Sequence, residues 1–142
     1  ENWQDSFISA YATMHPWEDW AETWAHYLLM RDVLETAAAS GVKLQPPQRK
    51  GPSVAIKPTP ADAIPAFDQM IKDWFPLTYL INNLDRGLGQ PDGYSFVLST
   101  PAIEKMRFVH DVVSEVAAAN GRKRQPVGMA ATVATMLRGF LA

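Results

Sequence analysis

"HPWEDWAETWAHYLLMRDVLETAAASG", residues 15–41, decides the fold class. Pro16 suits the first position of a helix, because the N–H it lacks would have no partner there. Gly41 suits the position just past a helix end, where the backbone turns left-handed. No proline or glycine interrupts the run between them, so a long helix is predicted from Pro16 to about Ala39. At about 100° per residue, Trp17, Trp20, Ala21, Trp24, Tyr27 and Leu28 share one broad apolar face, which Ala25 and Leu29 extend. Met30 and Val33 add apolar groups on the far side. A helix apolar nearly all round is usually buried. Trp20, Trp24 and Leu28 are therefore expected among the most buried residues.

Glu18 and Glu22 lie one turn apart on the flank of Leu29. They should sit at a wall of the fold, and a buried carboxylate needs a cation, a histidine N–H or a metal. Two readings stay open from the residues alone. In one, Glu18 is a first-turn acid favoured by the helix dipole by about 0.3–1 kcal/mol, and Glu22 pairs with His26 at i+4 on the surface. In the other, one of the acids binds a metal. Glu18, Glu22 and His26 do not make a self-contained site, because Glu18 and His26 are two turns apart and cannot both bond one ion at about 2 Å.

The rest of the chain also reads as helical. The segment before His15 has room for a short helix. "KLQPPQRKGPSVAIKPTP", residues 43–60, holds five prolines and reads as an extended surface connection. Thr59, Pro60 and Asp62 look like the cap, first position and first-turn acid of a new helix. Pro65 and Pro76 should break this helical region into pieces near 64–72 and 75–85. "RGLGQPDGYSF" is a loop by its glycines and its Pro-Asp-Gly turn. Thr100-Pro101 repeats the cap-plus-proline start, and Ile103, Met106, Val109, Val113 and Val116 fall at helical spacing up to Asn120-Gly121. Val109 and Val113 are expected in the core. "YSFVL" is the one strand-like run, and it is brief. The predicted fold class is mainly α, with 1–120 as one helical subdomain, 42–60 as its proline-rich connection and 121–142 as an unassigned, helical tail.

Composition narrows the function classes. The chain has 142 residues, 47% of them hydrophobic and 20% charged, which suits a globular domain with a real core. A net charge of −2 gives no reason to expect nucleic acid or an anionic membrane as partner. The basic run "GRKRQP" reads as a solvated connector. There is no cysteine, which removes disulfides, thiolate zinc sites and cysteine nucleophiles from this chain. That fits a reducing compartment, and a cytoplasmic location is the expectation. No apolar run approaches the ~20 residues of a membrane span, and no signal peptide is visible. The first residue is glutamate and not methionine, so the chain is expected to be either a processed product or a fragment of a longer protein.

"FISAYATMHPWEDWAETWAHYL" and "WFPLTYLINNLDRGLGQPDGYSFVLSTPAIEKMRFVHDVV" together resemble the C-terminal portion of a bacterial family of putative zinc-binding metallopeptidases. The resemblance runs from about Phe7 to Val113. In that family the other zinc ligands come from an upstream HExxH helix, and some members carry an N-terminal zinc ribbon. Tyr11-x6-Glu18-Asp19-x-x-Glu22 also looks like the third-ligand region of zincins of the anthrax lethal factor type. There the first glutamate of an E-[DF]-x-A-E stretch binds zinc, and a tyrosine seven residues earlier faces the site. The resemblance thus implies Glu18 as a zinc ligand, Tyr11 as a hydrogen-bond donor in the transition state, and Glu22 as an acid that orients a zinc-bound histidine. It implies a helical subdomain of a zincin-like metallopeptidase, with zinc in the complete protein and a peptide or protein as substrate.

The chain departs from the pattern in one respect. It contains no HExxH, and His15, His26 and His110 are isolated. His15 reads as a cap or packing residue and His110 as an ordinary helix residue. The partner implied is the upstream, HExxH-bearing region of the same protein, and by itself this chain should neither hydrolyse peptides nor hold zinc. The alternative is a non-catalytic helical interaction module whose tryptophan-rich helix is a docking face.

Overall fold

In a computed structural model of the protein, which describes residues 2–45, 54–57, 59 and 63–120, the long helix is present: α1 spans Pro16–Ala39. His15 caps it. Its carbonyl accepts the N–H groups of Glu18 and Asp19 at 2.9 and 3.1 Å, and its Nδ1 accepts the N–H of Trp17 at 3.2 Å. Gly41 closes the far end at φ 67°, with Val42 N–H donating to the Ala37 carbonyl at 2.9 Å. This is the left-handed helix stop that glycine makes without a steric penalty.

The buried stripe of α1 is not the predicted one. Thr23, His26, Tyr27, Met30, Leu34, Ala37 and Ala38 are buried. Trp20 is 41% exposed, Leu28 is 51% exposed, and Trp24 is half-buried. The apolar residues of α1 are spread almost evenly round its axis. Such a helix has no face that its own pattern drives inward, so its neighbours choose.

α2 spans Phe67–Gly87 as one helix with Pro76 inside it. This corrects two expectations. Pro76 does not divide the segment, and the helix does not begin near residue 64, because Ala66 is extended at φ −60°, ψ 136°. An internal proline costs about 3 kcal/mol. Here Phe67, Met70, Trp74, Leu77 and Thr78 form a buried stripe that runs across it, and tertiary burial outweighs local preference. Pro60, Ala61 and Asp62, part of the expected start, lie outside the described residues.

α3 spans Thr100–Asn120. Ser99 rather than Thr100 is its cap: the Ser99 carbonyl accepts Ile103 N–H at 2.9 Å and its Oγ accepts Ala102 N–H at 3.4 Å. Ala102, Met106, Val109 and His110 are buried, while Val113 is half-buried. The segment before His15 forms short 3-10 turns at Trp3–Asp5 and Tyr11–Thr13. The proline-rich connection carries a small antiparallel pair, β1 (Lys43–Leu44) with β2 (Val54–Ala55). "YSFVL" forms no strand. The protein is mainly helical. The expected helical tail at 121–142 lies outside the described residues.

The described residues fall into two compact units, one of residues 2–29 and 95–120, the other of residues within 30–94. In the first, Ile8, Ala12, Tyr27, Met106 and Val109 make the core. In the second, Trp74 packs edge-to-face on Tyr94 with centroids 4.9 Å apart. Asn82 brackets the backbone of Tyr94, donating to its carbonyl at 2.7 Å and accepting its N–H at 2.9 Å. Burial pushes the Tyr94 phenol up to about 12, partly offset by the Trp74 indole. Arg86 grips Asp92 through two 2.6 Å bonds and steadies the glycine-rich loop.

Candidate metal centre on the first turns of α1

The segment that carries Tyr11 is held from below. Ile8, Ser9 and Ala12 are buried, and Ser9 Oγ accepts Ala12 N–H at 3.1 Å. Tyr11 therefore projects from a fixed 3-10 turn and is 56% exposed. Glu18 and Glu22 are half-buried on α1. The three residues come together. The proximity of Glu18, through its polar interaction and its charge, and the lesser field of Glu22 hold the Tyr11 phenol above its ordinary value of 10.0.

Each histidine has contacts of its own. His15 serves as the cap of α1. His26 is buried, not on the surface as an i+4 partner of Glu22 would be, and stacks edge-to-face on Phe96 at 4.5 Å. Burial lowers its pKa below 6.5, against the opposing pull of Glu22. His110 is buried and hydrogen-bonds Tyr27 Oη through Nδ1 at 3.2 Å. Among the described residues no group of three or more His, Asp or Glu is placed to hold a metal ion. Two carboxylates and a phenol are oxygen donors of a kind that can contribute to a zinc centre.

The His26 shift has a consequence for stability. Its folded pKa lies below 6.5, so in the acid range the unfolded chain binds the proton more readily. Stability is then unaffected above about 6.5 and falls as pH drops below that value. Thermal melts should show wild type losing more between pH 7.5 and pH 5 than His26→Gln. Equal losses in the two proteins would exclude His26 as a source.

The sequence reading did not find Lys105. Its Nζ bonds Asp19 Oδ2 at 2.7 Å and the Ser6 carbonyl at 2.9 Å, and it sits 4.4 Å from the centre of the Phe7 ring. Residues 86 apart in sequence leave no local pattern to read. An open groove of about 410 Å3 lies beside this ion pair, lined by Pro16, Asp19, Trp20, Thr23, Glu104, Lys105 and Phe108. Trp20 and Phe108 form its aromatic rim, with centroids 6.0 Å apart. Asp19, Trp20 and Thr23 lie on a different flank of α1 from Glu18 and Glu22, so the groove is not part of the acid–phenol cluster.

The family described as "Putative zinc-binding metallo-peptidase" matches residues 1–112. Uncharacterized proteins of Mycobacterium bovis and of two strains of Mycobacterium tuberculosis are each 50% identical over 117 residues, covering 82% of this chain and 32% of theirs. The chain thus spans about a third of the length of the curated relatives it matches. No solved structure matches it. No helix among the described residues is long and apolar enough to cross a membrane. With more than half its length matched, the chain belongs to the putative zinc-binding metallo-peptidase family.

Proposed function

We propose that this chain is the C-terminal part of a zinc-dependent peptidase, in which Glu18 is the third protein ligand of a zinc ion whose other ligands lie in an upstream HExxH region. The observation that carries the reading is the family match over residues 1–112, with Glu18 and Glu22 one turn apart on the first turns of α1 and Tyr11 within reach of their charge. When bound, zinc supplies a Lewis acid that polarises the peptide carbonyl and activates water. Glu18 supplies the anionic donor. Glu22, one turn on, accepts the free N–H of a ligand histidine and so fixes its tautomer. Tyr11 donates to the oxyanion that develops on the substrate.

The surroundings favour a covered site. Trp17, Ala21, Ala25, Leu28 and Leu29 are exposed beside the two glutamates, and a contiguous apolar surface of this kind marks an interaction face. The same face is what a helical interaction module without catalysis would use. Metal content separates the two readings.

This chain alone is expected to bind zinc weakly, since one carboxylate does not replace two imidazoles. Stoichiometric zinc surviving dialysis against a weak chelator would show that the site has been misread. In the full-length protein, Tyr11→Phe should retain zinc and lower kcat by roughly 10²–10³-fold, the usual effect of losing one oxyanion donor. Glu22→Ala should lose about 10–100-fold in metal affinity or activity. Metal analysis and turnover of both variants beside wild type test this, and zinc loss in Tyr11→Phe would contradict the role given to the phenol.

A further inference from the structure

We propose that Lys105 is a positioning residue, whose ammonium ties the Tyr11-bearing segment to the first turns of α1 and so holds the Tyr11 phenol beside Glu18. The role in catalysis rests on the peptidase function proposed for the chain, but the mechanical claim does not.

The geometry is that of a strut between three pieces of chain. α3 supplies Lys105. Its Nζ takes the Ser6 carbonyl at 2.9 Å and Asp19 Oδ2 at 2.7 Å. The Phe7 ring lies under the same ammonium at 4.4 Å, a distance at which the negative ring face attracts a cation. Ser6 and Phe7 begin the short segment that reaches Tyr11, and Asp19 directly follows Glu18. The ammonium thus ties the segment that leads to Tyr11 to the residue that follows Glu18.

The electrostatics make the strut hard to replace. Asp19 is half-buried, and its other oxygen, Oδ1, is buried without a hydrogen-bond partner among the described residues. Lys105 is the cation that compensates this carboxylate. A point charge with three donors suits the task of gathering a carbonyl, a carboxylate and a ring face at one place. Without it, Asp19 would seek water, and the Ser6–Phe7 backbone would lose its tie to α1.

The test uses the 142-residue chain and side-chain NMR, with no metal present. Wild type should show nuclear Overhauser contacts between the Tyr11 ring protons and the Glu18 side chain. Lys105→Met should lose them, while amide protection at His26 and Tyr27 in α1 stays as in wild type. Lys105→Arg, which keeps the charge, should retain them at least in part. Contacts that persist unchanged in Lys105→Met would overturn the proposal. Should that variant not fold, Asp19→Ala cuts the strut at its other end and must also lose the contacts, or the proposal fails. The outcome is independent of the peptidase reading, which stands or falls on zinc and turnover in Glu18 variants of the full-length protein. Where both hold, Lys105→Met should lower kcat with KM unchanged and add no further loss to Tyr11→Phe. Losses that multiply in the double variant would mean that Lys105 does not act through Tyr11.

Discussion

Glu18→Ala in the full-length protein is expected to lose bound zinc and peptidase turnover in the same proportion, by more than the roughly 10–100-fold that removal of a ligand's supporting residue costs. Three protein ligands and an open position define a catalytic zinc site, and two neutral imidazoles leave the full charge of the ion uncompensated. Removing the carboxylate takes away both a donor and that compensation. Stability should barely change. Glu18 is a half-buried first-turn acid, and its interaction with the helix dipole is about 0.3–1 kcal/mol. The measurement is zinc per chain, turnover and melting temperature on one preparation. Full zinc and full activity would remove the ligand assignment and, with it, most of the case for a metallopeptidase. Loss of activity together with collapse of the melting temperature would point to a structural role instead.

Trp74→Ala should be the most damaging tryptophan substitution, at about 3–5 kcal/mol. Trp74 is 2% exposed, lies on the buried stripe of α2 and meets Tyr94 edge-to-face at 4.9 Å. Truncation would open a cavity and remove the surface on which Tyr94 rests. Domains are stable by only about 5–15 kcal/mol, so this is a large fraction of the total. Trp17→Ala is the contrast. Trp17 is 72% exposed, and a surface change of that sort usually stays within about 0.5 kcal/mol. Urea unfolding of the two variants decides the matter. A cost below about 1 kcal/mol for Trp74→Ala would mean that the packing of α2 is wrong.

Helix ends in this chain follow local rules, and α1 begins and ends where Pro16 and Gly41 place it. The hydrogen-bonding groups of a helix terminus are satisfied by residues close in sequence, so a short window contains the answer. Where burial competes with local preference, the window is too small. Pro76 stays inside α2 because a buried stripe crosses it. α1 turns Thr23, His26 and Tyr27 inward, and not Trp20 and Leu28, because a nearly uniform helix leaves the choice to its neighbours.

The candidate site divides in the same way. Tyr11, Glu18 and Glu22 entered as candidates through the family resemblance, which a motif within twelve positions can carry. That the phenol feels the charge of Glu18 needed the 3-10 turn that carries Tyr11. Lys105 was invisible beforehand because its partners Ser6 and Asp19 are 99 and 86 positions away. The sequence by itself determined a mainly helical chain of this metallo-peptidase family and the residues of its acid–phenol cluster. Only the tertiary structure decided which face of α1 is buried and which cation braces the cluster, because a contact between distant segments depends on how helices pack and not on any local pattern.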